Sequence, residues 1–316
     1  MRGTGVDPAQ FFTASRLLIV AGKGGVGKTT VSATLALAAA RSGLSSLIIE
    51  VEGKSGLSSM YGVPAFAYDE VDLAEGVRAR TLTPDEALVE YLEDSDMGRI
   101  SKRLMTSDAL DMVATAIPGI RDILVLGKIK QMERAGLADL LILDAPAAGH
   151  AISFLQSASG LADAVPIGPI NTQAKDVLEL LGDPERCQVI LVTLPEETPV
   201  NELVETAYQL EDRVGISLGP VVVNGCYPPL PGLDSSPAEA AADAGASLRP
   251  GEVESLEAAA SFRRERMELQ SEQVARLAEA LPLPQLTLPY LFDAELGPDQ
   301  LDQLATAILD GIGGLP

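Results

Sequence analysis

The feature that most constrains this chain is a glycine-rich stretch, Ala21–Thr30, which reads AGKGGVGKTT and contains the pattern G-x-x-x-x-G-K-[ST]. An apolar run, Arg16–Val20, precedes it, and an Ala- and Leu-rich run, Val31–Arg41, follows it. The first suits a buried parallel strand and the second suits a helix. Glycines let backbone N–H groups turn inward around phosphate oxygens, and a helix start adds the positive end of its dipole. The sequence therefore predicts a phosphate-binding loop between a strand and a helix.

Each part of this loop has a predicted role in binding Mg²⁺-ATP. Lys28 is predicted to reach the β- and γ-phosphates, and the Thr29 hydroxyl to ligate Mg²⁺. The other predicted nucleotide-binding residues of the loop are Gly24, Gly25, Val26, Gly27 and Thr30. The alternative is a glycine turn that binds nothing. At average residue usage, a chance match in a chain of this length is on the order of one in a hundred.

The composition limits the partners and the compartment. The 316 residues carry a formal net charge of -22, which argues against a nucleic-acid partner because its phosphates would be repelled. The two cysteines, Cys187 and Cys226, do not make a disulfide framework and suit a reducing cytoplasm. The apolar run Leu17–Val20 is too short for a signal peptide or a membrane span. We expect a cytoplasmic protein with no direct membrane insertion, so that any role at a membrane goes through a partner.

A second lysine inside the loop narrows the class. The run Lys23-Gly-Gly-Val-Gly-Lys-Thr-Thr resembles the "deviant" phosphate loop shared by MinD, ParA, the nitrogenase iron protein, and the arsenite-pump (ArsA) and tail-anchored-protein targeting ATPases. In that group the early lysine reaches the nucleotide of the partner subunit. The resemblance implies a catalytic role for Lys23 across a dimer interface, in the manner of an arginine finger. The alternative is a solvated loop lysine.

A second motif tightens the resemblance to the ArsA-like family. The apolar run Ala138–Asp144 ends in an acid, the Walker B pattern, which places Asp144 near Mg²⁺, usually through water. The run Asp144–His150 reads Asp-Ala-Pro-Ala-Ala-Gly-His and is similar to the second switch, Asp-Thr-Ala-Pro-Thr-Gly-His, of the arsenite-pump and targeting ATPases. His150 is the one histidine in the chain. We interpret it as a conformational switch residue and not as a proton carrier.

The second predicted parallel strand, Ser46–Val51, leads into the first switch. Ligands sit at the carboxyl ends of such strands, which places Glu50, Glu52 and Lys54 near the nucleotide. Arsenite-pump enzymes have an aspartate here that orients the attacking water, and Glu52 takes its place with one more methylene. The resemblance implies a catalytic role for Glu52. The alternative is a solvated loop acid, and the longer side chain leaves the hydrolysis rate open because small misplacements are costly.

Two further residues are assigned to the adenine side of the nucleotide. Asn224 ends the apolar run Pro220–Val223, as in the Val-Val-Asn of the family, where the amide side chain reads the adenine edge. Pro289, in the run Leu286–Leu291, lies where the family has its second adenine-side loop. The alternative for Asn224 is an ordinary turn asparagine.

The predicted fold is α/β: a mostly parallel P-loop NTPase sheet flanked by helices, with an inserted helical subdomain, in one ArsA-like ATPase domain over residues 1–316. The nucleotide-binding core is predicted at about 16–82, 138–150 and 186–316. The helical subdomain is predicted at about 83–137 and 151–185, with Thr83 as the N-cap of its first helix. Residues 1–15 are expected to be a loose tail and about 230–250 a flexible loop. Long helices are predicted over Glu252–Leu281 and Pro298–Leu309.

The methionines of the predicted helical subdomain, Met97, Met105, Met112 and Met132, suggest a groove for a hydrophobic client helix. The alternative, an ordinary helical core, is favoured because the methionines are not dense. Cys226 is not part of a Cys-x-x-Cys, so neither a zinc-stapled dimer nor arsenite binding is indicated.

The resemblance implies a dimeric, Mg²⁺-dependent ATPase that couples its nucleotide state to a client or a membrane-protein partner through the switches and the helical subdomain. The partner subunit is a second copy or a paralogous ATPase. One alternative is a weakly hydrolysing regulatory subunit of a heterodimer. Another is a MinD/ParA-like positioning ATPase.

Overall fold

The computed structural model describes residues 5–51, 56–66, 68–87, 90, 119–146 and 148–316. Within these residues, eight strands form one sheet in the order β3-β4-β2-β5-β1-β6-β7-β8. All neighbours are parallel except β3 and β4, which pair antiparallel. The strands are β1 (Leu17–Gly22), β2 (Ser46–Val51), β3 (Val71–Ala74), β4 (Val77–Leu82), β5 (Leu140–Asp144), β6 (Cys187–Thr193), β7 (Val221–Cys226) and β8 (Gln285–Pro289).

The helices that accompany this sheet are numbered here in chain order. They are α1 (Pro8–Thr13), α2 (Lys28–Arg41), α3 (Leu57–Tyr61), α4 (Ile120–Ala135), α5 (Ala148–Ala164), α6 (Pro169–Gly182), α7 (Glu197–Val214), α8 (Pro237–Asp243), α9 (Glu252–Ala280) and α10 (Pro298–Gly313). Residues 84–87 are also helical. Within the described part of the chain, none of these helices combines the length and apolar character needed to cross a bilayer. A mostly parallel sheet with helices on both faces confirms the predicted α/β class.

Two apolar cores cover the two faces of the sheet, because successive strand residues point to opposite faces. One core joins Val31 and Leu35 of α2 and Ile308 of α10 to the sheet. The other joins helices α4 to α7 and the end of α9 to the opposite face, with Ile129 and Leu277 among its buried members. The central strands are buried on both sides and read as apolar runs, as parallel strands do.

The strand order fixes where the site lies. β1 is central, with β5 on one side and β6 on the other, and β2 is the next strand beyond β5. In the parallel register Val20 pairs with Asp144, and Asp144 pairs with Glu50. The carboxyl ends of β1, β5 and β2 therefore end side by side, next to the loop that leads into α2.

The amino-terminal segment differs from the expected loose tail. Residues 8–13 form α1, whose N-cap Asp7 accepts a hydrogen bond from the Ala9 N–H (3.1 Å) and whose first residue is proline. Phe12 is fully buried in the core that contains α2 and α10. The prediction was wrong because so short a helix is stabilised by the burial of one aromatic side chain and not by its own periodicity.

Two other segments carry structure that the sequence patterns did not indicate. β3 and β4 form a hairpin at the sheet edge, with short strands and alternating charges that give a weak strand pattern. Within 230–250, expected to be a flexible loop, residues 237–243 form α8, which has no buried residue. We call residues 230–262, which comprise α8 and the first part of α9, the arm.

The predicted helical subdomain lies partly outside the described residues. Thr83 is the N-cap, as predicted: its hydroxyl accepts a hydrogen bond from the Glu86 N–H (3.3 Å). Helices α4, α5 and α6 pack together and share one apolar core with the sheet. Residues 91–118 of the predicted helical subdomain lie outside the described residues, and Met97, Met105 and Met112 lie among them. The subdomain boundaries stay a prediction.

Candidate active site

The loop between β1 and α2 has the tight backbone that its glycines predict. Gly25 and Gly27 have φ values of 85° and 91°, in the left-handed region that favours glycine. Gly27 is the N-cap of α2 and has no side chain that could accept from the N–H groups of the first helical turn. Uncapped N–H groups at a helix start are donors for an anion.

Asn224 fixes this loop from the side of β7. Its Nδ2 donates a hydrogen bond to the Val26 carbonyl oxygen (2.9 Å). A Cβ added at Gly27 would lie 2.2 Å from that same Nδ2. The amide side chain therefore packs directly against the loop, and only glycine leaves room for it at position 27.

Lys28 lies over the loop that precedes it. Its Nζ donates to the Lys23 carbonyl oxygen at 3.1 Å. Burial lowers the pKa of Lys28, and the negative charge of Asp144 opposes that shift. A cationic side chain is thereby held beside the uncapped helix start, where a phosphate would complete its coordination.

Asp144 ends β5 and accepts hydrogen bonds from two residues of α2. The Thr29 Oγ1 donates to its Oδ2 (2.6 Å), and the Ser32 Oγ donates to its Oδ1 (3.3 Å). Burial raises the pKa of Asp144, while the Thr29 hydrogen bond, the Lys28 charge and the Ser32 hydrogen bond act against that shift. A hydroxyl and a carboxylate form the all-oxygen donor set that Mg²⁺ prefers. The two predicted metal residues therefore meet, and their chemistry fits the ion.

Glu50 is a third oxygen-bearing side chain at this position, and sequence reasoning gave it no role beyond proximity. It pairs in register with Asp144 and is only 5% exposed. Burial raises its pKa to about 7, with a further contribution from the Asp144 charge and a smaller opposing effect of the nearby Thr81 hydroxyl. Its Oε1 accepts no hydrogen bond from any residue that the structure describes.

Lys23 does not point into its own phosphate loop. Its Nζ forms an ion pair with Glu202 of α7, and both side chains are partly exposed. Glu202 had no sequence signal, because it is 179 residues away in the chain and belongs to no motif. The predicted action of Lys23 on a partner's nucleotide stays a prediction.

The adenine-side residues line one cavity with the loop. A space of about 170 Å³ is bordered by Thr30, Asn224 and Pro289, together with Leu194, Tyr290 and Leu304. A larger space of about 570 Å³ next to it is bordered by Thr29, Thr30, Gly56, Met60, Glu295 and Gly297. Both predicted adenine residues thus lie beside the start of α2. Their contact with adenine stays a prediction.

Only parts of the two predicted switch segments lie within the described residues. Glu52 and Lys54 lie outside the described residues, so the predicted catalytic role of Glu52 stays a prediction. His150 lies exposed in the first turn of α5, six residues after Asp144.

A strand, a glycine loop and a helix, with a lysine and a strand-ending aspartate beside the helix start, define a P-loop NTPase. The family model described as "Anion-transporting ATPase" matches residues 15–167. The chain is 32% identical over 238 residues to "ATPase BagA" of Mycobacterium tuberculosis, covering 72% of this chain and 69% of that protein. The chain belongs to the ArsA-like family of anion-transporting ATPases, and it is a nucleotide-binding ATPase.

Two other relatives are more distant. The "Arsenical pump-driving ATPase" of Escherichia coli is 26% identical over 240 residues, which cover 67% of this chain and 39% of that protein. "ATPase get3" of Schizosaccharomyces pombe is 30% identical over 145 residues, which cover 45% of this chain and 43% of that protein. The similarity to relatives with such different names fixes the family and leaves the cargo open.

Proposed function

We propose that the chain is one subunit of a cytoplasmic ATPase dimer that closes on Mg²⁺-ATP and couples hydrolysis to a client through its switch segments. The observation that carries this proposal is the convergence of Lys28, Thr29 and Asp144 at the uncapped start of α2. The three groups supply a cation for phosphate, a hydroxyl for Mg²⁺ and a carboxylate for the water that Mg²⁺ binds.

Each residue then has one task. The N–H groups from Gly24 to Thr30 and the Lys28 ammonium hold the phosphates, and Asn224 and Pro289 hold the adenine. Thr29 would ligate Mg²⁺, and Asp144 would hold it through water. When bound, the ion neutralises charge on the phosphates. Glu52 orients the attacking water, and positioning of this kind supplies most of the catalysis in phosphoryl transfer.

The ion pair between Lys23 and Glu202 supports a dimer, because it holds the chain's own Lys23 away from its phosphate loop. In the proposed closed dimer each Lys23 leaves that ion pair and stabilises charge on the partner's phosphates. The partner is a second copy or a paralogous ATPase. We propose a hydrophobic client or a membrane-protein partner for this chain.

The replacement of the family's aspartate by Glu52 favours a second candidate, a subunit that binds nucleotide and hydrolyses it slowly beside a paralogue. Turnover by the isolated chain, compared with turnover after mixing with a paralogue, separates the two. If turnover per chain rises with the concentration of this chain in the absence of the paralogue, the homodimer is supported. Turnover that requires the paralogue supports the regulatory subunit.

The central test is Lys28→Ala, with calorimetry of Mg²⁺-ATP binding and a phosphate-release assay. We expect kcat/KM to fall by roughly 10²–10³-fold, the usual loss when one preorganised charge partner is removed. Lys175→Ala is the matched control, because Lys175 is an exposed lysine of α6. Unchanged binding and turnover in Lys28→Ala would show that the nucleotide is held elsewhere.

A further inference from the structure

Two carboxyl side chains stand next to each other on the face of the sheet that α2 covers. Glu50 of β2 and Asp144 of β5 are partners in the parallel register, and neighbouring strands lie about 4.8 Å apart. Two residues earlier on each strand, Ile48 and Ile142 belong to the core that contains α2. Strand alternation therefore directs both carboxyls towards the start of α2 and the phosphate loop.

The two carboxyls differ in how their oxygens are satisfied. Both oxygens of Asp144 accept a hydrogen bond, one from Thr29 and one from Ser32. Glu50 is 5% exposed, yet its Oε1 accepts none in the described part of the chain. Thr81, its register partner on β4, also has a buried hydroxyl without a hydrogen bond there. A buried polar atom without a partner costs free energy, so a group retained in this state calls for a ligand.

A purely structural role does not account for this side chain. A buried structural carboxylate is paired with a cation or with several donors, as Glu133 of α4 is with Arg186 on the other side of the sheet. The Oε1 of Glu50 accepts no hydrogen bond among the described residues, although the Thr81 hydroxyl lies near enough to affect the pKa of the carboxyl. An apolar residue would pack at this position without the cost. The position also lies beside the residues that would hold Mg²⁺, so the missing partner belongs to that site.

We propose that Glu50 is a second carboxylate of the Mg²⁺-nucleotide site, and that its free Oε1 accepts a hydrogen bond from a water bound to Mg²⁺. The inference rests on the proposed function, since it requires Mg²⁺-ATP at the phosphate loop. Glu50 acts as a positioning residue: it holds the ion through water on the side of β2, as Asp144 does on the side of β5.

The arrangement has a consequence for binding without the ion. Two adjacent carboxylates face a polyphosphate, and like charges repel. In the absence of Mg²⁺, Glu50 therefore weakens nucleotide binding, and in its presence Glu50 strengthens it. A residue that only supports the fold would shift both affinities in the same direction. The opposite signs separate a role at the ion from a role in stability.

The test measures the affinity of a fluorescent ADP for the wild type and for Glu50→Gln, first in excess Mg²⁺ and then in EDTA. The gain in affinity that Mg²⁺ produces should fall about tenfold or more in Glu50→Gln, the usual loss when a group behind the ligands is removed. Binding in EDTA should become tighter. Electron paramagnetic resonance of Mn²⁺ in the ADP complex gives the ion affinity directly, and it should fall by the same factor.

Thr81→Val is the matched control, because it removes the neighbouring unpaired hydroxyl and leaves both carboxyls in place. It should keep the full effect of Mg²⁺. Glu50→Asp is a second variant, which is used alone if Glu50→Gln does not fold. It keeps the charge but shortens the side chain, so it should lose part of the Mg²⁺ effect and less than Glu50→Gln.

Equal Mg²⁺ effects in the wild type and Glu50→Gln would overturn the inference while leaving the proposed function intact. A wild type that binds no nucleotide even in Mg²⁺ would overturn the proposed function and the inference with it. Equal losses in Mg²⁺ and in EDTA would show that Glu50 only supports the fold.

Discussion

The phosphate-loop region and the arm are built in opposite ways. At the loop, the strands that carry the functional residues are buried on both faces. Asp144 of β5 accepts a hydrogen bond from Thr29 of α2, and Asn224 of β7 donates one to the Val26 carbonyl oxygen of the loop. In the arm, α8 has no buried residue, and the buried residues of α9, Gln270 and Leu277, both follow the arm. The first region is fixed by the core, and the second is held mainly by its own contacts.

The arm nevertheless encloses an open apolar groove of about 510 Å³, which lies away from the phosphate chemistry. Its lining residues are mostly small or apolar and include Leu230, Leu233, Leu248 and Leu256. Directly after the arm, Arg263 stacks on Phe292 (5.0 Å from guanidinium carbon to ring centroid) and donates to the Pro228 carbonyl oxygen at 2.9 Å. An apolar hollow of this size therefore lies apart from the residues that would bind the phosphates.

Among the variants that test this comparison, Gly27→Ala at the loop should have the largest effect. A Cβ at this position meets Asn224 Nδ2 at 2.2 Å, and φ is 91°. Left-handed strain of about 1–2 kcal/mol adds to overpacking of about 1–3 kcal/mol, and displacement of the loop should weaken ATP binding by about 100-fold. Calorimetric binding and urea unfolding measure both losses.

Gly25→Ala is the control, because φ is 85° while nothing lies within 4 Å of the added Cβ. It should show the strain alone, about 1–2 kcal/mol in unfolding free energy. If both variants lose the same free energy of unfolding, Asn224 does not pack closely against Gly27.

The second prediction compares the two halves of α9. Leu277→Ala should lower the unfolding free energy by about 2–5 kcal/mol, because Leu277 is fully buried in the core. Leu256→Ala, in the arm, should change it by less than about 0.5 kcal/mol, since the side chain is 47% exposed. Chemical denaturation of both variants measures the difference. A large loss for Leu256→Ala would mean that the arm is part of the cooperative core.

The third prediction concerns pH. The pKa of Glu50 is raised from 4.5 to about 7 in the folded chain, so the folded state binds more protons than the unfolded state between these values. The contribution of Glu50 to the free energy of unfolding is therefore fully present below about pH 4.5 and is lost as the pH rises to 7. Glu50→Gln should gain roughly 1–2 kcal/mol relative to the wild type over this range, after allowance for solvent screening. Urea unfolding of both proteins across this pH range measures the difference in unfolding free energy. A difference that is the same at every pH would contradict the raised pKa of Glu50.

The sequence predicted those parts of the site that depend on local spacing. Lys28 and Thr29 are adjacent in one motif, and Asp144 ends an apolar run, so each could be assigned without knowledge of the sheet order. The partners of these residues could not be assigned in this way. Glu202 meets Lys23, and Glu50 meets Asp144, only after helices and strands distant in the chain have packed.

The same reason explains the errors in the fold. The parallel strands were predictable because burial on both faces makes them continuously apolar. Phe12 stabilises α1 from within a core built of α2 and α10, which no local pattern reveals. In the arm, the small and apolar residues of 230–250 resemble a loop, because α8 is short and buries nothing.

The smallest expected effect concerns two exposed ion pairs, one from each region. Glu202→Gln breaks the Lys23 pair beside the loop, and Glu252→Gln breaks the Arg249 pair at the start of α9. Neither should lower the melting temperature measurably, since exposed pairs contribute little. Glu202→Gln, however, frees Lys23 for the partner subunit. It should lower the chain concentration for half-maximal ATPase activity by about twofold, the value that about 0.5 kcal/mol gives. Glu252→Gln should leave that concentration unchanged, and an equal shift in both variants would mean that Glu202 does not restrain Lys23.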